Sequence, residues 1–204
     1  MSIGRRWVVA TGNRGKLAEI RALLSGLSLD LVAQGDLGVE AADESAVTFV
    51  ENALIKARHA ARRSGLPAIA DDSGLAVDAL GGLPGVRSAR FAGPHADDRA
   101  NIEKLLDALA DVPPERRTAR FHCVVVAMTS PEDPAPTIAT GTWRGRITLE
   151  PAGSGGFGYD PVFFVEERGC TAAELPPDVK NSISHRAAAF RGLVAALAER
   201  LRER

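Results

Sequence analysis

Two acidic pairs, Asp43-Glu44 and Asp71-Asp72, are the first residues whose types suggest chemistry. Asp71-Asp72 follows a short apolar run, and adjacent side chains on an extended segment point to opposite sides. One carboxylate can therefore face a binding site while the other braces the turn. Oxygen ligands from two separated pairs, with no His or Cys cluster, suit Mg2+ better than a softer metal. Mg2+ keeps several waters and takes its remaining ligands from substrate phosphates. The alternative reading of these four residues is two solvated acidic turns.

Cationic groups and glycines supply the other half of such chemistry. Thr11-Gly12-Asn13-Arg14-Gly15-Lys16 follows the apolar run Trp7-Val8-Val9-Ala10. A P-loop needs Gly where Ala10 stands and Ser or Thr where Leu17 stands, so the ordinary P-loop reading fails at both ends. What survives is a strand handing over to a helix, whose free N–H groups favour an anion. Lys16 falls in the first helical turn, where the dipole disfavours a cation unless an anion sits beside it. A solvated turn with an exposed lysine is the alternative. Lys56, on the helix face of Asn52, points either to a cleft or to water.

A second glycine loop, Gly153 to Gly158, spells G-x-G-x-x-G. Pro161 and the run Val162-Phe163-Phe164-Val165 follow it, where a dinucleotide fold would need a helix. These glycines instead let a backbone approach a flat ligand, with Phe157 available to stack, or they form a hairpin loop with Phe157 in the core. Lys180-Asn181-Ser182-Ile183-Ser184-His185-Arg186 sets three potentially cationic groups at a helix start, the wrong end unless an anion or a base carbonyl binds there. His59, His95 and His122 share no ligand spacing. Together, a phosphate loop, magnesium carboxylates, an aromatic among glycines and a basic helix start describe a nucleoside triphosphate site.

The elements that must position these residues follow from periodicity. Trp7–Ala10 reads as a buried strand, and Gly15–Leu24 as a helix on the stripe Leu17, Ile20, Leu23, Leu24. Leu29–Ala33 returns to strand, giving an α/β opening. Gln34–Ala46 is an acidic loop. Thr48 with Glu51 forms a capping box for a helix that runs to Arg62-Arg63 and stops at Gly65. Leu66–Ala70 is a brief strand that ends in Asp71-Asp72-Ser73-Gly74, and Gly81–Gly85 is a turn. Asp97 caps a helix to Leu109. Phe121–Met128 and Thr137–Leu149 read as a hairpin, and Val162–Val165 as a strand. Ser182 or Ser184 caps a last helix with the stripe Phe190, Leu193, Val194, Leu197, Leu201.

The 204 residues are 45% hydrophobic and 25% charged, with a formal net charge of −1. That composition fits one globular domain over residues 1–204 with a mixed sheet, and gives no basic excess to grip a nucleic acid polymer. Two cysteines without metal spacing point to a reducing compartment. Arg5-Arg6 precedes an apolar stretch too short for a secretory segment, and nothing approaches a membrane span. A cytoplasmic protein with no membrane partner is the expectation.

The blocks "ATGNRGKLAEI", "TFVENALIKARHA", "ADDSGLAVDALGGLPGVRSARFAG", "GGFGYDPVFF" and "SHRAAA" run along almost the whole chain. In this order they resemble the inosine triphosphate pyrophosphatase family, whose bacterial members are XTP/dITP diphosphatases. The resemblance implies an elongated α/β fold: a mixed central sheet flanked by helices, in two lobes with the active-site cleft between them. It implies Mg2+ as cofactor, a cytoplasmic homodimer, and hydrolysis of dITP, ITP or XTP to monophosphate and pyrophosphate. By the same resemblance Thr11, Gly12, Asn13, Arg14, Gly15 and Lys16 hold the triphosphate, with Lys56 assisting. Asp72 is the general base and lies near the metal. Glu44 binds Mg2+, with Asp43 beside it as the other candidate. Ser73 contacts substrate, Phe157, Gly158, Tyr159 and Asp160 form the nucleoside pocket, and Lys180, His185 and Arg186 close on the base. Two other readings stay open: a Maf-like pyrophosphatase of modified pyrimidine or methylated nucleotides, and a module that senses nucleotides without cleaving them.

Overall fold

The computed structural model describes residues 5–202; the side chains of Arg14, Leu201 and Arg202 lie outside the described residues. A seven-stranded sheet runs in the order β2-β1-β3-β4-β5-β6-β7. Its strands are β1 (Arg6–Val9), β2 (Asp30–Ala33), β3 (Ala68–Val77), β4 (Thr118–Met128), β5 (Thr137–Ile147), β6 (Phe163–Val165) and β7 (Cys170–Thr171). β1 pairs in parallel with β2 and β3, while β6 pairs antiparallel with β5 and β7, so the expected mixed sheet is present. The helices are α1 (Arg14–Leu23), α2 (Phe49–Ser64), α3 (Asp98–Ala108), α4 (Pro177–Ile183) and α5 (His185–Arg202). No helix among the described residues is long and apolar enough to cross a membrane.

The chain divides into two compact units: Met1–Asp72, Cys123–Gly141 and Arg186–Arg204 in the first; Ser73–His122 and Thr142–His185 in the second. In the first unit, alternation along the strands feeds two cores. Trp7, Val9, Ile69, Cys123 and Val125 pack with Ile20 of α1, with Leu24 just past its end, and with Phe190, Leu193 and Leu197 of α5. The intervening Val8, Ala68, Ala70 and Val126 pack on Ala53, Ala57, Ala60 and Ala61 of α2. Thr48 caps α2 as the sequence predicts, its Oγ1 accepting the Glu51 N–H at 3.3 Å. Gly65 ends that helix at φ 69°, a left-handed position that suits glycine.

Two sequence expectations need correction. β3 does not stop at Ala70; it continues through Asp71 and Asp72 to Val77. Polar partners on both faces of the sheet let the strand carry two carboxylates through its middle. The tail also holds two helices. Lys180 lies in the last turn of α4, where the dipole favours a cation, and only His185 and Arg186 open α5.

α5 is fastened at its far end. Arg200 Nη2 donates to both carboxylate oxygens of buried Asp133, at 3.1 and 3.0 Å, and Asp133 also accepts the Thr129 and Ala135 amides. Burial raises the Asp133 pKa, but these donors outweigh it and hold the carboxyl below its usual value. A depressed carboxyl pKa stabilises the fold fully above the unfolded value of about 3.9, and that contribution is lost as pH falls through the lower folded value. Asp133→Ala is expected to cost about 1–3 kcal/mol at neutral pH. The gap from the unaltered protein should narrow in acid, as measured by denaturant unfolding at several pH values.

The second unit is built on Leu75, Val77, Phe121, Trp143, Ile147, Phe163 and Val165, closed by Ile102, Leu105 and Leu109 from α3 and its end. Phe121 and Phe163 ring centroids lie 4.6 Å apart, and Trp143 and Phe163 5.2 Å. Buried Arg117 secures the end of α3 by donating to the carbonyls of Leu109, Val112 and Thr148.

Candidate active site

Within the first unit, β3 sends its two carboxylates to opposite faces. Asp71 lies on the face of Ile69, toward α1 and α5. Its Oδ2 is 3.6 Å from Lys16 Nζ and accepts Arg186 Nε and Nη2 at 3.4 Å each. Arg186 Nη1 donates in turn to Glu19 Oε2 at 2.5 Å. Asp72 lies on the α2 face. Its Oδ1 accepts Lys56 Nζ at 2.8 Å and its Oδ2 accepts Asn52 Nδ2 at 3.3 Å. Lys56 Nζ is also 3.4 Å from Glu44 Oε1, and Asn52 Oδ1 accepts the Ala46 amide, which fixes the loop carrying Glu44. Two charged clusters thus flank β3, Lys16 and Arg186 around Asp71 on one face and Glu44 and Lys56 with Asp72 on the other, coupled by the Lys56 charge acting on both carboxylates.

The adjacent carboxyls titrate in opposite directions. Burial raises the Asp71 pKa, but Lys16, Arg186 and Lys56 outweigh it and hold the group well below the carboxylate range. Burial lifts the Asp72 pKa above its ordinary value, only partly countered by Lys56. Asp71 is a fixed counter-ion; Asp72 has the raised affinity for a proton that a general base needs. Burial and the Asp71 charge push the neighbouring Cys123 thiol up to about 12, so it is inert.

At the α1 entrance, Asn13 Oδ1 accepts the Lys16 N–H at 2.9 Å, and Thr11 Oγ1 accepts the Asn13 N–H at 3.1 Å. The Asn13 oxygen is occupied by capping, which leaves its amide NH2 for an anion. Thr11, Gly12 and Asn13 line a groove of about 660 Å³ with Gln34, Gly35 and Asp36. Asp71 supplies part of the negative charge expected beside Lys16. Gly15 lies inside α1, and the Arg14 side chain lies outside the described residues.

Among the described residues, no group of three or more His, Cys, Asp or Glu side chains is assembled for a metal. The fit to Mg2+ rests on fewer protein ligands. The Lys56 ammonium stands between the Glu44 and Asp72 carboxylates, so their spacing admits a single cation. Buried Asp71 Oδ1 has no hydrogen-bond partner among the described residues. One or two carboxylates completed by water and substrate oxygens is the usual Mg2+ arrangement. Asp43 is exposed and makes no such approach, so Glu44 is the acidic residue of that pair brought to the Lys56 cluster.

The second unit holds the aromatic loop. Asp160 Oδ2 accepts the Phe157 amide at 2.9 Å and Lys180 Nζ at 2.5 Å. Lys180 Nζ stands 4.7 Å above the centroid of half-buried Phe157, a cation–π distance. The Tyr159 hydroxyl donates to Ser88 O at 2.8 Å, and the Gly158 amide donates to Asp98 Oδ2 at 2.7 Å. His185 stacks on Phe121 at 4.7 Å, and Ser73 is partly buried in β3 just after Asp72. The expectation that these glycines admit a flat ligand changes. A Cβ on Gly156 would clash with Asp160 Oδ2, and one on Gly155 would lie 2.8 Å from Ala173 O. Those two glycines let the chain pack on itself; Gly158, at φ 62°, faces open space.

Arg186, expected to close on the base, is 2% exposed and held by Asp71 and Glu19 within the first unit. The anion demanded by its position at a helix start is supplied by the protein. Glu19 and Asp98 escaped the sequence reading, whereas Asn52, read there as sharing the Lys56 face of α2, turns to Asp72. Glu19 follows Lys16 by three residues on α1, so a shared helix face was the available signal.

Known proteins match over nearly the same extent. A dITP/XTP pyrophosphatase of Shigella flexneri is 60% identical over 190 residues, covering 93% of this chain and 96% of its own length. The structure of a HAM1 protein from Coxiella burnetii superposes with a TM-score of 0.88 at 49% identity, covering 95% of this chain and 98% of that one. A nucleoside-triphosphatase, dITP/XTP pyrophosphatase, from Mycobacterium abscessus gives 0.73 at 45% identity over 94% and 99%. The sequence-based resemblance to this group is borne out, and with the Ham1 family model matching residues 7–196 the chain belongs to the Ham1 family.

Proposed function

We propose that this protein hydrolyses non-standard purine nucleoside triphosphates, dITP, XTP and ITP, to the monophosphate and pyrophosphate. The observation that carries the reading is the Glu44–Lys56–Asp72 cluster, in which two carboxylates share one cation and burial raises the Asp72 pKa. Relatives named dITP/XTP pyrophosphatase at about 60% identity support the substrate class. Water attacks the α-phosphorus, and Asp72 takes its proton as the new P–O bond forms. The bond to the bridging oxygen breaks, and pyrophosphate leaves with the electron pair. Lys16 and Lys56 offset charge on the phosphates, as do amides and side chains of Thr11–Asn13. Glu44 and Asp72 would hold Mg2+, which when bound neutralises phosphate charge and acidifies coordinated water.

The base end is assigned to the second unit, where Phe157 offers a stacking face and Lys180 a donor. Hypoxanthine and xanthine carry an oxygen at C6, whereas adenine carries an amine, a donor facing a donor. An unpaired buried donor costs about 1–3 kcal/mol, so dATP should turn over at least roughly fivefold less efficiently. A cytoplasmic homodimer that acts on single nucleotides rather than a nucleic acid polymer completes the proposal.

A panel of triphosphates with Mg2+, read as pyrophosphate release, tests it. dITP and XTP are expected to lead, and EDTA to abolish turnover of both. Preference for modified pyrimidine triphosphates, or release that persists in EDTA, would overturn the substrate or the metal assignment respectively.

A further inference from the structure

Phe157 sits between two glycines with positive φ, Gly156 at 72° and Gly158 at 62°. Glycine backbones do not hold a ring in place by themselves. The ring's position depends on what fixes the flanking amides. The Phe157 amide is fixed locally by Asp160, and the Gly158 amide is fixed by Asp98, from the first turn of α3. Asp98 is itself well placed. Asp97 caps α3 by accepting the Ala100 amide at 2.8 Å, and a carboxylate in the first turn suits the helix dipole. Buried Asn101 ties the same turn to the preceding segment, accepting the Ala92 amide at 2.8 Å and donating to Ala89 O at 3.2 Å. That segment begins at Ser88, whose carbonyl accepts the Tyr159 hydroxyl. One frame, Ser88 to Asn101, thus grips the loop at two successive residues.

We infer that Asp98 is a positioning residue for the nucleoside pocket, holding the Gly158 amide so that Phe157 presents its face to the purine. This rests on the proposed function, since it concerns the base end of the same substrate. Asp98 bonds the loop amide and is not among the residues assigned to the phosphates, Thr11–Lys16 and Lys56. Its loss should therefore weaken base binding without altering the bond-breaking step.

The experiment compares Asp98→Ala and Asp98→Asn with the unaltered protein. Asn keeps an oxygen acceptor for the Gly158 amide; Ala removes it. For Asp98→Ala, KM for dITP is expected to rise about tenfold with kcat within a factor of two or so. Inosine monophosphate binding should weaken by a similar factor, while inorganic tripolyphosphate binding with Mg2+ stays unchanged. Asp98→Asn should restore most of the loss. An Asp98→Ala protein with unaltered KM and monophosphate affinity overturns the inference, as does equal weakening of tripolyphosphate or no rescue by Asn. Unaltered protein that binds no inosine monophosphate overturns the functional proposal along with it, which separates the two failures.

Discussion

Asp72→Asn is expected to lower kcat for dITP by roughly 10²–10⁴-fold at saturating Mg2+, while nucleotide still binds. Asn is nearly isosteric, and its one amide oxygen keeps an acceptor for Lys56 Nζ, while the contact that Asn52 Nδ2 makes to the second carboxylate oxygen is lost. What it cannot do is take a proton. The environment of Asp72 favours the protonated carboxyl more than water does, because burial outweighs the pull of Lys56. A neighbouring carboxylate cannot substitute: Asp71 faces the other side of the sheet and is held below the carboxylate range by Lys16, Arg186 and Lys56. Single-turnover rates and equilibrium binding of a non-hydrolysed analogue check the expectation together. Unchanged turnover removes Asp72 from the base role. Wild-type protein that binds analogue yet never turns over would restore the sensing-module reading.

The contrast between Asp71 and Asp72 shows where the sequence was legible. Alternation of side chains on an extended segment already places the two carboxylates on opposite sides, and the capping box at Thr48 already places Lys56 on a defined face of α2. The length of β3 was not legible. Asp-Asp-Ser-Gly carries turn residues, and nothing local says that Arg186, 115 positions later, returns to neutralise the first of them. The same remote pairing explains the misreading of the tail. Lys180 and Arg186 are close in sequence and both basic, but Ser184 separates α4 from α5, and the two cations meet different carboxylates. Glycine content was equally ambiguous. Gly156 exists to clear Asp160, whereas Gly158 faces open space, and the motif spacing is silent on which is which. Local patterns fix elements; partners distant in sequence decide what a charged residue on those elements does.

Arg186→Met is accordingly expected to act first on stability, not on base choice. The guanidinium is 2% exposed and is the shared partner of Asp71 and Glu19. Its removal leaves Asp71, itself 2% exposed, with only the 3.6 Å contact to Lys16 among its described cationic partners on that face. Breaking a buried pair on one side typically costs about 3–5 kcal/mol, because the remaining charge stays out of water. Met fills much of the arginine volume, so the loss should reflect the orphaned charge more than a cavity. Adding Asp71→Asn should recover part of it, with a coupling of about 0.5–3 kcal/mol in the double-mutant cycle read from denaturant unfolding. A base-reading role predicts the opposite pattern: stability within about 0.5 kcal/mol of the unaltered protein, as for an ordinary surface substitution, and a narrowed preference for dITP over dATP. That pattern would return Arg186 to the nucleoside pocket and leave Asp71 to be neutralised by Lys16.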